Sequence, residues 1–493
     1  MKKVILFCYL FMSQYFVMAQ LEQLAQVEIP TNPEKEEEHL IFTLKENGVL
    51  LLHTEEDILH HKIKLEFTKL DSTLQNVWKN ELVLNDEFNI EQFFYNEDFF
   101  YLLFSANKST NIRVSRINLH TGEEIYTDGN LLAEMDIEHF SVLGNKAIIG
   151  GKYNDRPVVT LFNFFDNQSI VLPELHANHY FINSILVNEV YKNIYILLRN
   201  ERNCQFILKT YSYQGKLEKT ETIGEKGKVP VLGDILSKKD GSLMLVGNYS
   251  ENCSEASIGL YFHDLNAVSP KTRFINFADL DNFFKFMSEK KEKRIKTRID
   301  NQKQKGKEIK LRYKLLLHDI ISTENGWALL AEIYYPEYKS TQNTGYYTSS
   351  LRNYRLGQEV YNNFVYTHAL ICGFDDNGTL TWNNSVSLEG LESKELDKKV
   401  QVSSVGNDLL LAYPYNNFIK TELIKQNDPT KYSEKYPLSN AKDKSVNLTE
   451  KPTNLTAWYG RNFILYGYKN IKPDNAILPK EVFFISKMRY ILK

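Results

Sequence analysis

A turn followed by a short apolar run recurs at a nearly fixed interval, and this spacing constrains the fold more than any other feature of the chain. The runs begin at residues 48, 99, 146, 193, 242, 327, 408 and 462, separated by 51, 47, 47, 49, 85, 81 and 54 residues. Turn formers precede most of them, such as Asn-Glu-Asp at 96–98, Glu-Asn-Gly at 324–326 and Gly-Asn at 406–407. A second hairpin follows within each unit. It is clearest at 369–382, where Asp-Asp-Asn-Gly separates two apolar runs. Asn and Gly tolerate the positive φ that tight hairpin turns require. Each unit therefore reads as a small antiparallel sheet, too small to cover both its own faces. Radial stacking lets neighbouring sheets cover each other and leaves only short edges. The period predicts an all-β chain: a β-propeller of seven or eight four-stranded blades over residues 39–493. Two smaller all-β domains and tandem β-sandwiches are the alternatives.

The two long intervals hold insertions. The first, about 279–314, carries 13 Lys/Arg against 4 Asp/Glu between residues 285 and 314. Leu280, Phe283, Met287, Ile295 and Ile299 keep helical spacing, with Lys291 interrupting, so a helix is expected from Leu280 onward. Its candidate basic surface is Lys293, Arg294, Lys296 and Arg298. Such a surface steers anionic partners or lies against an anionic membrane; the plainer reading is a solvated helix on the propeller flank. The second insertion, about 334–366, is rich in tyrosine and includes Tyr346, Tyr347 and Tyr354. Tyrosine pairs a flat apolar ring with a hydroxyl, which suits sugar stacking and adaptable protein contacts. The alternative is a pair of strands whose tyrosines cover one another.

The N-terminus reads as an export signal over residues 1–19. Lys2 and Lys3 precede an apolar stretch, and Val-Met-Ala at 17–19 forms a cleavage site. The expected product is soluble after cleavage, periplasmic or extracellular. Residues 20–38 are expected as a flexible acidic segment ahead of the propeller. The net charge of −3 gives no reason to expect a nucleic-acid partner.

Recognisable chemistry is sparse. His176 and His179 are three apart without a third ligand, which is weak for zinc, and no spacing designates a metal or cofactor. His60 and His61 are adjacent and point to opposite sides of a strand. His318, beside Asp319, and His368 open strands next to the two insertions, and the two histidines are candidate binding residues. No nucleophile elbow, zinc-protease motif or phosphate loop is present, so no catalytic residue is assigned. Cys204 and Cys253 each lie 11 residues after a run start and each follows Asn, making them equivalent points in adjacent blades and a candidate disulfide. Cys372 sits in an apolar run as a buried thiol.

Residues 303–320 (KQKGKEIKLRYKLLLHDI), 331–338 (AEIYYPEY) and 366–375 (YTHALICGFD), with a leader ending Met-Ala-Gln, resemble uncharacterised secreted proteins of bacteroidete-type bacteria. The resemblance implies export and a propeller-like repeat, and it carries no activity or site. The functional expectation is an exported, non-catalytic binding or scaffold protein of the cell envelope, contacting a protein or glycan. The alternative is a propeller-based hydrolase acting on glycans in the axial channel. Peripheral contact with an anionic membrane is a further option.

Overall fold

The computed structural model describes residues 20–32, 37–57, 62–85, 87–238, 242–265, 272–340, 359–426, 428, 432–438, 447–448, 453–471 and 479–491. Eight antiparallel sheets are arranged as a β-propeller. Blade 1 comprises Glu37–Thr43, Val49–Asp57, Lys62–Leu70 and Asn76–Asn85. Blades 2 to 5 occupy residues 88–130, 136–171, 180–223 and 229–276; blades 6 and 7 occupy 314–393 and 401–437. Blade 8 draws on both ends of the described chain, pairing Gln20–Pro30 with Lys480–Ile491.

The recurring apolar run is the second strand of each blade, and the geometry explains its composition. That strand is covered on both faces, so consecutive residues must be apolar. Leu50 packs into the core shared with blade 2, beside Phe100 and Leu102. Its neighbour Leu51 packs into the core shared with blade 8, beside Ile464 and Phe483. Leu243–Ser250 of blade 5 is buried at every position.

First strands of neighbouring blades touch one another, as in blades 2 and 3, 3 and 4, 4 and 5, 6 and 7, and 7 and 8, so they form the inner ring around the axis. Strand direction alternates within a blade. The loops between second and third strands therefore share one face with the blade-to-blade connections, and the hairpin turns between first and second strands lie on the other. Both insertions emerge on the first of these faces.

Residues 20–30, expected to be flexible, instead supply the outer strand of blade 8. Ala25, Val27 and Ile29 alternate with polar residues and pack into the blade 8–blade 1 core. A register shift between Gln23 and Ala25 turns Leu21 into the blade 7–blade 8 core. This strand closes the ring, uniting segments more than 450 residues apart in the sequence.

The helix also differs from expectation. It runs over Glu289–Gln304 (α1), not from Leu280. The preceding residues spend their hydrogen bonds on blade 6. Asn282 N and Nδ2 donate to Asn383 Oδ1 (2.8 Å) and O (3.0 Å), and Phe286 N donates to Ser385 Oγ (3.1 Å). Leu280, Phe283 and Phe284 enter the blade 5–blade 6 core. Among the described residues, no helix is long and apolar enough to cross a membrane.

Candidate functional site

The first strand of blade 6 is broken between Lys314–Leu317 and Ile321–Thr323, and the break presents His318 and Asp319. His318 turns inward, its Nε2 lying 2.6 Å from the fully buried Glu332 carboxylate. Glu332 also accepts from the backbone N–H groups of Lys399 (2.9 Å) and Val400 (2.8 Å). The blade 6–blade 7 connection is held a second time where the Tyr366 hydroxyl donates to Asp397 O at 2.6 Å. So anchored, the connection presents Lys398 to Asp319 at 2.7 Å.

Asp319 stands almost fully exposed, and three further groups share its electrostatic environment. Asp234 lies on the first strand of blade 5 (Val229–Ser237) and accepts from Ile235 N at 2.8 Å. Crowding by the surrounding strands holds the Asp234 carboxyl above its usual range; the Asp319 charge adds to this, while Lys398 opposes it. Tyr95, 40% exposed, ends the first strand of blade 2, where partial desolvation and then the Asp319 charge raise its hydroxyl pKa. Asp234, Asp319, Lys398 and Tyr95 are thus a polar group on the inner ring, drawn from three blades and one connection. Sequence reasoning singled out Asp319 but missed the others. A lone charge in the otherwise uncharged Val229–Ser237 strand is the signal that Asp234 offered.

His318 and His368 do not converge. Glu332, the partner of His318, and Ile333, the cross-strand neighbour of His368, are consecutive and so face opposite sides of blade 6. His368 is completely buried beneath the first insertion, its ring stacked on Phe286 at 3.6 Å with Phe283 and Tyr313 edge-on. Burial lowers its pKa to about 3, so it is a neutral core residue at physiological pH, closed off from solvent.

On α1, Lys293, Arg294 and Arg298 are exposed and make no ion pair among the described residues. Lys296 is half-buried and bridges to Glu292 at 2.8 Å. Burial alone would raise the Glu292 carboxyl pKa, but hydrogen bonds from Lys296 and Lys285 hold it below its usual value. Between α1 and the returning residues 308–313 runs a groove of about 430 Å³, with Phe284, Ile299 and Leu311 among its walls and Arg298 and Lys310 at its polar side.

The tyrosine-rich insertion prolongs blade 6. Gly326–Ser340 and Glu359–Phe374 continue as an antiparallel ribbon, pairing Tyr334 with Tyr366 and Tyr338 with Tyr361. Tyr366 is buried, whereas Tyr335 and Tyr338 are 48% and 53% exposed. Tyr346, Tyr347 and Tyr354 lie outside the described residues. Lys314 sits across from Tyr334 and bridges to Glu255 at 2.7 Å, joining the ribbon's base to blade 5.

Cys204 and Cys253 form a disulfide with Cα atoms 5.4 Å apart. It ties the second-to-third-strand loops of blades 4 and 5 on the same decorated face. Cys372 is a free, buried thiol whose pKa burial pushes up.

No family model and no curated protein matches the chain. Among solved structures it is similar to polysaccharide lyase Uly1, with 9% identity, 81% of this chain and 90% of that one covered, and a TM-score of 0.38. It is also similar to a prolyl endopeptidase, with 10% identity, 90% of this chain but 53% of that one covered, and a TM-score of 0.40. An uncharacterized protein of Listeria monocytogenes aligns at 11% identity over 77% of this chain and 91% of its own, with a TM-score of 0.34.

Proposed function

We propose that the protein is an exported, non-catalytic binding or scaffold protein that engages a protein or glycan of the cell envelope through the decorated face at blades 5 and 6. The observation that carries this reading is the presence on one face of exposed Tyr335 and Tyr338 together with Lys293, Arg294 and Arg298, exposed cations without an ion pair among the described residues. Tyrosine offers contact area at little entropic cost, and an unpaired surface cation meets an acidic group without first breaking an ion pair. The groove beside α1 adds an apolar floor next to Arg298. The scaffold beneath is rigid: a helix cross-packed on two blades and a disulfide between two loops.

Two variants test the reading: Tyr335→Ser with Tyr338→Ser, and Lys293→Glu with Arg294→Glu and Arg298→Glu. Each is compared with wild type in crosslinked capture from envelope extracts and on a glycan array. Loss of the same partner in both variants is expected. Capture unchanged by either variant rejects the reading.

A second reading, a hydrolase with its site in the axial channel, has its own support. Asp234 and Asp319 share a neighbourhood there, and the raised Asp234 pKa suits a proton donor beside an ionised partner. Glycan turnover abolished by Asp319→Asn, in protein that still captures its partner, favours this reading over the first.

A further inference from the structure

Glu37, His39 and His53 form a cluster that neither the channel nor the decorated ribbon uses. Their donor atoms all lie within 4.8 Å of one another. The hairpin register explains the convergence. His39 and His53 are direct cross-strand partners, and Glu37 precedes His39 by two positions on the same side of the sheet. The cluster faces blade 8, at the seam where the ring closes.

The surroundings supply what a metal site needs beyond its ligands. His39 is buried and lies over Phe483 of blade 8 at 4.3 Å, and its Nδ1 lies 3.1 Å from the Tyr468 hydroxyl. A metal on Nε2 requires the proton on Nδ1, where that hydroxyl accepts it. Glu37 Oε2 accepts from Asn32 N at 3.2 Å, which fixes the carboxylate to the closing connection. His53 Nε2 is buried, makes no hydrogen bond among the described residues, and lies 3.7 Å from Glu37 Oε2. The His53 and Glu37 side chains are 18% and 10% exposed, which leaves an entry path.

We propose that Glu37, His39 and His53 bind a divalent transition metal of the zinc type at the seam between blades 1 and 8. Two imidazoles and one carboxylate are a borderline donor set that suits zinc and leaves one position for water. The two imidazoles now stack at 4.5 Å, inclined by 13°. Their lone pairs lie in nearly parallel planes, so capture requires His53 to tilt while His39 stays pinned by Phe483. Bound metal then tightens the blade 1 surface on which blade 8 packs, and the closed ring gains stability.

The test uses the full chain without an affinity tag, stripped of metal by chelator and titrated with Zn²⁺ against a competing indicator. One equivalent is expected to bind, and the thermal midpoint to rise with it. His53→Ala should remove the site. Tyr468→Phe, which keeps the ring and loses only the hydroxyl, should weaken binding roughly 10- to 100-fold. Co²⁺ should give the strong visible absorption of a four- or five-coordinate site. Absence of a stoichiometric site in wild type overturns the proposal, as does zinc affinity unchanged in His53→Ala. If His53→Ala does not fold, Glu37→Gln carries the same comparison, and unchanged affinity there and in Tyr468→Phe overturns it equally.

Discussion

His318 Nε2 lies 2.6 Å from the Glu332 carboxylate, and that carboxylate, fully buried, is also the acceptor for the first N–H groups of blade 7's approach. A buried carboxylate survives only when its lone pairs are occupied, and here one imidazole and two backbone donors occupy them. The same contacts set the position of Lys398 over Asp319. Removing the carboxylate leaves three donors without their acceptor, Val400 N buried and His318 Nε2 and Lys399 N partly so. Glu332→Ala should therefore cost roughly 3–5 kcal/mol, and Glu332→Gln less, since its amide oxygen still accepts. Urea unfolding midpoints check this, and a loss below about 1 kcal/mol for the alanine variant contradicts the network.

The disulfide Cys204–Cys253 closes a sequence separation of 49 residues. Constraining the unfolded chain over such a loop is worth roughly 2–4 kcal/mol. Cys204→Ser with Cys253→Ser should lower stability by that amount without altering far-ultraviolet circular dichroism. In the wild type, thiol labelling after denaturation without reductant should leave this pair unmodified and label Cys372.

His368 makes stability depend on pH. Its imidazole ordinarily titrates near 6.5, and burial lowers that to about 3 in the folded chain. As pH falls below 6.5, the unfolded chain takes up the proton and the folded one does not. Stability is then lost through the window from 6.5 to about 3, by up to ~1.4 kcal/mol per pH unit. Stacked on Phe286 with Phe283 and Tyr313 edge-on, the position should accept Phe, and His368→Phe should flatten the acid side of the stability profile. An unchanged slope between pH 6.5 and 4 would show that His368 is not the group responsible.

Much of the architecture was legible because the second strand of every blade is enclosed on both faces. The Leu50–Leu51 pair must be apolar twice over, and the resulting runs mark the repeat directly in the sequence. The equivalence of Cys204 and Cys253 was legible for the same reason, as a fixed offset within the repeat. What the sequence hid depends on partners distant along the chain. Gln20–Pro30 alternates Val27 and Ile29 with polar residues, yet its mate lies at the opposite end of the chain. The start of α1 was misread because Asn383 and Ser385 compete for backbone groups that helical spacing alone would assign to a helix. The parity of Glu332 and Ile333, which separates His318 from His368, becomes visible only once the register is known. The inner-ring group is likewise assembled from blades 2, 5 and 6, and no local pattern connects Tyr95, Asp234 and Asp319.

The N-terminal strand closes the ring of eight blades, and hydrogen–deuterium exchange over that strand reports the closure. Pairing of Gln20–Pro30 with Lys480–Ile491 predicts that amides in both segments exchange slowly and lose protection together on unfolding. Deletion through residue 32 should then release protection in 480–491 and lower the thermal midpoint. Rapid exchange in 20–30, with 480–491 still protected and unaffected by the deletion, would contradict the closed ring.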